Sequence, residues 1–172
     1  LPQSERLTIG TSGESYERGW VVIMTESLRD MLIRHEGRRH RPYKCTAGKW
    51  TIGVGFNYSD NPLPTDIQET LTKKGEITDE MIDRLLDTSV RHAAADAHVL
   101  FPDLDSYSPA RKNALIDWMF QLGFNTARKF TTSVRLIKEQ KWKEAANAMR
   151  QSQWAKQTPN RAKEITRMIE EG

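Results

Sequence analysis

The segment His35–Phe56, HEGRRHRPYKCTAGKWTIGVGF, holds three side chains able to manage protons and water. Glu36 is an acid, Cys45 is the only thiol of the chain, and Thr51 is a hydroxyl inside a run that favours β-structure. A carboxyl can give a proton to a departing oxygen, and a thiolate can take one from water or attack directly. Eight residues separate Glu36 from Cys45, and five separate Cys45 from Thr51. Free cysteine titrates at about 8.5, so the thiol is mostly neutral at pH 7 unless cations such as Lys44 or Arg161 lower it.

Elements that position these groups are legible around them. Thr25 can cap a first turn carrying Glu26, and Leu28, Met31, Leu32 and His35 then fall at helical spacing up to Gly37. Glu36 closes that helix, where carbonyls present partial negative charge, a setting suited to a proton donor. Arg41–Phe56 reads as a β-hairpin, with Tyr43, Trp50, Thr51, Ile52 and Val54 favouring strands and Ala47-Gly48 marking the reversal. A three-residue loop, Ala47 to Lys49, would pair Cys45 with Thr51 and put both on one face. A two-residue loop would separate them, because side chains alternate along a strand. Gly53 and Gly55 mark a bend, a close approach by a ligand, or a turn that needs positive φ.

Further along, Asn61-Pro62-Leu63-Pro64 breaks the chain before a short helix over Thr65–Lys73. Thr78-Asp79-Glu80 opens a long helix in which Met81, Ile82, Leu85, Leu86, Val90 and Ala93 share one side as far as about Val99. Ser108-Pro109 starts a mostly buried helix that ends at Gly123, and shorter helices follow over 131–139, 142–150 and 159–170. This pattern predicts an α+β chain: an N-terminal arm over 1–23, a small lobe over 24–77, a linking helix over 78–99 and a helical lobe over 100–172. The absence of an initial Met suggests a processed product or a domain cut from something longer.

Composition narrows the partners. With 172 residues, 26 Lys and Arg against 23 Asp and Glu give a net charge of +3, which weakly favours an anionic polymer or surface. A nucleic-acid binder would need a Lys/Arg-rich helix face, which is lacking, and the apolar run Trp20–Met24 is too short for a membrane span. One cysteine excludes an intramolecular disulfide framework. The four histidines, His35, His40, His92 and His98, share no metal-ligand spacing and read as surface or partly packed side chains.

The Glu36, Cys45 and Thr51 spacing, with Thr51-Ile52-Gly53-Val54-Gly55, resembles the catalytic segment of the phage-type lysozymes, glycoside hydrolase family twenty-four. The likeness continues through Trp118-Met119-Phe120-Gln121-Leu122-Gly123, Lys129–Ser133, Trp142 with Glu144-Ala145-Ala146, and Trp154 to Gln157-Thr158-Pro159-Asn160-Arg161. It departs from the better-known members at Asn57 and Ala148. The resemblance implies a two-lobed lysozyme-like fold and a muramidase that cleaves bacterial peptidoglycan without a cofactor. Glu36, Cys45 and Thr51 would be catalytic, Phe120, Gln121 and Ser133 would line the sugar cleft, and Arg161 would pair with Glu36. It also implies a monomer acting on the host wall in the periplasm, either a free endolysin or part of a virion protein. The alternative is a lysozyme-shaped module, weakly active or inactive, that binds glycan or serves structurally in a larger phage protein.

Overall fold

A computed structural model describes residues 26–172 throughout and, of the first 25, the backbone of three strands. These strands, β1 (Leu7–Ile9), β2 (Glu14–Glu17) and β3 (Trp20–Ile23), pair antiparallel in chain order. The remainder of the arm expected over 1–23, and the cap expected at Thr25, lie outside the described residues.

The first helix, α1 (Leu28–Glu36), is capped by Ser27, whose hydroxyl accepts from the Asp30 amide at 3.1 Å. It buries Met31 and Leu32, as the spacing predicts, and stops at Gly37, whose φ of +80° a helix cannot continue through. Glu36 is therefore its last residue. A second antiparallel sheet follows, ordered β4 (Arg39–Lys44), β5 (Trp50–Gly53) and β6 (Phe56–Asn57). The hairpin is present, with a third short strand that the sequence pattern does not reveal.

Its register differs from expectation. Lys44 pairs with Trp50 and Tyr43 with Thr51, so the loop is Thr46 to Gly48 rather than Ala47 to Lys49. The Gly48 amide donates to the Cys45 carbonyl at 2.8 Å, and the Cys45 amide donates to the Lys49 carbonyl at 3.0 Å. This is a type I turn closed by a left-handed residue, a role taken by Gly48 at φ +74°. The turn is fixed by where that glycine falls. Cys45 still shares a face with Thr51, because both are in step with Tyr43, but it lies diagonal to Thr51 rather than opposite.

Two apolar cores are joined by one helix. After α2 (Thr65–Lys74), the long α3 (Asp79–Leu100) starts at Thr78, whose hydroxyl accepts from the Met81 amide at 3.2 Å. Its first half contributes Ile82, Leu85 and Leu86 to a small core with Leu32, Ile52 and Ile67. Its second half contributes Ala93, Ala97 and Leu100 to a larger core around Leu115, Trp118 and Met149. That second core is built by α4 (Pro109–Leu122), α5 (Phe124–Ala127), α6 (Thr131–Lys138), α7 (Trp142–Arg150), α8 (Gln153–Gln157) and α9 (Pro159–Glu171). Here α5 and α8 are additions to the helices expected, too short to show a period.

The architecture is α+β and two-lobed, with α3 as the link and a helical second lobe. Ile82 is fully buried where α3 meets the small lobe, against Gly53. Ile82→Ala should cost about 2–5 kcal/mol in urea unfolding, the usual range for such a deletion; a loss under about 0.5 kcal/mol would mean that α3 does not anchor the sheet.

Candidate active site

At the end of α1, the Glu36 carboxyl is held from two sides. Arg161 Nη1, from the first turns of α9, donates to Glu36 Oε1 at 2.6 Å. On the other side, a Cβ added to Gly55 would lie 3.0 Å from Glu36 Oε2 and 3.2 Å from Cδ, and Gly55 has φ +65°. The second glycine of the Gly-Val-Gly run thus meets two requirements at once, positive φ and close approach. The neighbour is the acid of this chain rather than a ligand.

Arg161 is itself anchored. Its Nε donates to Asp117 Oδ1 at 2.9 Å, and Asp117 is wholly buried on α4. His35 Nδ1 lies 2.8 Å from Asp117 Oδ2, and His35 Nε2 lies 2.8 Å from Glu164 Oε2. Arg34 binds Glu164 at 2.5 Å and Glu26 at 2.6 Å. Its guanidinium first, and His35 after it, draw Glu164 down to about 2 against the opposing effect of burial. His35 is raised above its ordinary value, chiefly by its hydrogen bond to Asp117, against the opposing effect of burial. Of the two expectations for the histidines, surface or partly packed, His35 meets the second, with a side chain only 7% exposed.

On the hairpin, Thr51 is 3% exposed and donates to the Lys49 carbonyl at 3.0 Å. Cys45 is half-buried, and its thiol is pulled below the usual value by hydrogen bonding with the Lys49 backbone first, then by the Ala47 backbone and the Thr51 hydroxyl. The expected agents, Lys44 and Arg161, are not among the causes. Lys44 Nζ instead sits 5.3 Å above the Trp50 ring. Tyr43, opposite Thr51, shows in the sequence only as a strand former. Burial raises its phenol, and so do the charges of Glu36 and Cys45, which puts it within electrostatic reach of both.

A cleft of about 370 Å³ is lined by Gly55 and Asn57 from the small lobe, His92 and Asp96 from α3, and Phe120 and Gln121 from the end of α4. Glu36, Cys45, Thr51 and Arg161 are not among its lining residues; Glu36 adjoins its wall through Gly55. Phe120 packs against both cores, so it stands where the lobes meet. Gln121 Oε1 accepts from Trp154 Nε1 at 2.8 Å, which fixes its amide with the NH2 left over. Ser133 is 4% exposed on α6 and does not line this cleft, so a sugar-binding role for it gains no support from the geometry. Among the described residues, no group of His, Cys, Asp and Glu could hold a metal ion.

Two lobes joined by one helix, with a cleft where they meet, are the architecture of a glycosidase of the lysozyme kind, and the comparisons with known proteins support that class. The family described as phage lysozyme matches residues 33–168, and the chain belongs to that family. It is 33% identical over 167 residues to the probable T4-type lysozyme 1 of Dictyostelium discoideum, an alignment covering 87% of this chain and 96% of that one. With the probable T4-type lysozyme 2 of the same organism the identity is 32%, over the same shares. The pre-baseplate central spike protein Gp5 of Enterobacteria phage T4 is 30% identical over 157 residues, which are 83% of this chain but 27% of the spike protein. The chain is a lysozyme-like peptidoglycan hydrolase. No described helix is long and apolar enough to cross a membrane.

Gly55→Ala should lower activity at least about tenfold, because displacing the carboxyl even by a fraction of an ångström degrades alignment. Wild-type clearing rates from this variant would mean that the contact with Glu36 is dispensable. For Cys45, the rate of iodoacetamide modification should reach half its maximum below the pH of about 8.5 typical of a free thiol. In Thr51→Val that midpoint should move upward, and an unchanged midpoint would remove the hydroxyl from the tuning of the thiol.

Proposed function

We propose that this protein is an N-acetylmuramidase that cleaves the β-1,4 bond between N-acetylmuramic acid and N-acetylglucosamine in bacterial peptidoglycan. The observation that carries the reading is the Glu36 carboxyl held between Arg161 and Gly55, the latter a residue of the cleft wall. Glu36 is the general acid. Its proton passes to the glycosidic oxygen as the bond to the anomeric carbon breaks. Water enters that carbon from the opposite face and gives its proton to Cys45, which Thr51 orients. Lowering of the thiol enlarges the thiolate fraction available for this step at neutral pH. The two protons are then exchanged through solvent, which returns Glu36 to its acid form.

In the same proposal, Arg161 orients the acid, and Phe120 and Gln121 offer an apolar face and a free amide to the sugar. No cofactor is required, because every proton transfer has a side chain to perform it. The setting is wall digestion during phage lysis or infection, in the periplasm of the host. The similarity to part of the Gp5 spike protein supports a second reading, a lysozyme-shaped module of a larger phage protein; its task would be glycan binding or structural.

Turbidity of outer-membrane-permeabilised bacteria separates these readings. Wild-type protein should clear the suspension, and Glu36→Gln should clear it at least about a hundredfold more slowly, the scale of a lost general acid. Retained glycan binding without clearing by the wild type would establish the module instead.

A further inference from the structure

We propose that His35, acting as an imidazolium through Asp117 and Arg161, is a positioning residue for Glu36, so that its loss of a proton loosens the acid. The proposal rests on Glu36 being the acid of the muramidase reading. His35 does not touch the cleft. Its influence runs through two contacts, His35 Nδ1 to Asp117 Oδ2 at 2.8 Å and Asp117 Oδ1 to Arg161 Nε at 2.9 Å, before Arg161 Nη1 reaches Glu36 at 2.6 Å.

The protonation state follows from hydrogen-bond capacity. Both ring nitrogens of His35 lie 2.8 Å from carboxylate oxygens, one on Asp117 and one on Glu164. Ionised carboxylates only accept, so both nitrogens must donate, which a neutral imidazole cannot do. The charges around the ring agree. Facing His35 are Asp117 from α4, Glu164 and Arg161 from α9, and Arg34 and Glu36 on α1 itself. From Arg34 the signs run plus at Arg34, minus at Glu164, plus at His35, minus at Asp117 and plus at Arg161. They alternate without a break only when His35 carries its proton. The upward displacement of His35, caused first by Asp117, fits this arrangement.

Deprotonation has a definite consequence. Neutral His35 must turn a lone pair toward one carboxylate. If that is Asp117, a wholly buried carboxylate is left with Arg161 as its remaining donor. Arg161 has capacity to respond, because its Nη2 is buried with no partner. The guanidinium then closes on Asp117 at the expense of Glu36, since a buried charge must be paired. His35 gains its partners on folding, so its contribution is complete below its unfolded value of about 6.5 and is lost as pH rises through its higher folded value.

The test follows the His35 ring by nitrogen NMR and the Glu36 side-chain carboxyl by carbon NMR across pH 4–10, beside kcat and KM on soluble glycan chains. The wild-type ring should carry protons on both nitrogens at pH 7. The Glu36 carboxyl should show a second inflection at the pH where the ring titrates. In His35→Gln that inflection should vanish, with kcat at pH 6 lowered roughly tenfold and KM little changed, a partial form of the cost of misplacement. Asp117→Asn should bring the ring back toward its ordinary value. A ring that is neutral at pH 7 in the wild type, a Glu36 signal blind to its titration, or an unchanged kcat in a folded His35→Gln would each overturn the proposal. The wild-type spectra decide the matter even if neither variant folds. Failure of the muramidase reading is separately visible, as clearing that persists in Glu36→Gln, and would leave the coupling between ring and carboxyl intact.

Discussion

A carboxylate with no exposed surface governs how this molecule is assembled. Asp117 lies on a helix whose neighbouring residues, Leu115, Ile116, Trp118 and Met119, are all core. Stripping a carboxylate of water costs several kcal/mol even after relaxation, so the site is tolerable only with partners of opposite charge. They arrive from two other helices, Arg161 from α9 and His35 from α1. Three helices are thereby pinned at one point. The guanidinium that neutralises Asp117 continues to Glu36, so the demand for a paired charge in the core also fixes a carboxyl beside Gly55 of the cleft wall. Stability of the larger lobe and geometry at the site are consequences of the same ion pair.

The small lobe supplies the opposing wall by a different means. Its hairpin is set by Gly48, and its next turn by Gly53 and Gly55, all at positive φ. An L-residue at Gly55 would meet both backbone strain and the Glu36 carboxyl. Attachment to the rest of the molecule comes through Ile52 and Ile82, buried on the sheet and on α3. Because α3 also enters the larger core, the sheet and the ion-paired end of α1 share one rigid reference.

Much of this was readable from residue order, and the exceptions share a cause. The long amphipathic α3 announces itself by its period and its cap at Thr78, and the mostly buried α4 by its apolar run and its cap at Ser108. By contrast, α5 and α8, of four and five residues, are too short to complete a pattern. The hairpin loop was misplaced because counting residues does not weigh the conformation each must adopt, and Gly48 decides it. Of the candidate site, Phe120 and Gln121 line the cleft, Glu36 and Arg161 are paired with each other beside Gly55 of its wall, and Cys45 and Thr51 share a face of the hairpin. Ser133 is elsewhere, in a buried position. The charge on His35 is not legible along the chain, because its partners lie 82 and 129 residues away. Such a residue is recognisable only when packing brings its neighbours in.

The means by which the thiol is tuned bears on how both groups can operate in a narrow space. A cation beside Cys45 would stabilise its thiolate, but it would also attract the Glu36 carboxylate and compete with Arg161. Backbone and hydroxyl dipoles do the first without the second, since their fields fall off faster with distance than that of a full charge. Lys44, the nearest candidate cation in sequence, has its ammonium over the Trp50 ring. Thr51 has one hydroxyl proton to give, and it donates to the Lys49 carbonyl at 3.0 Å. When the sulfur gains charge, turning that proton toward it exchanges a neutral acceptor for an anionic one, which makes the stronger bond. The arrangement therefore responds to the charge on Cys45 locally, without disturbing the ion pairs that hold Glu36.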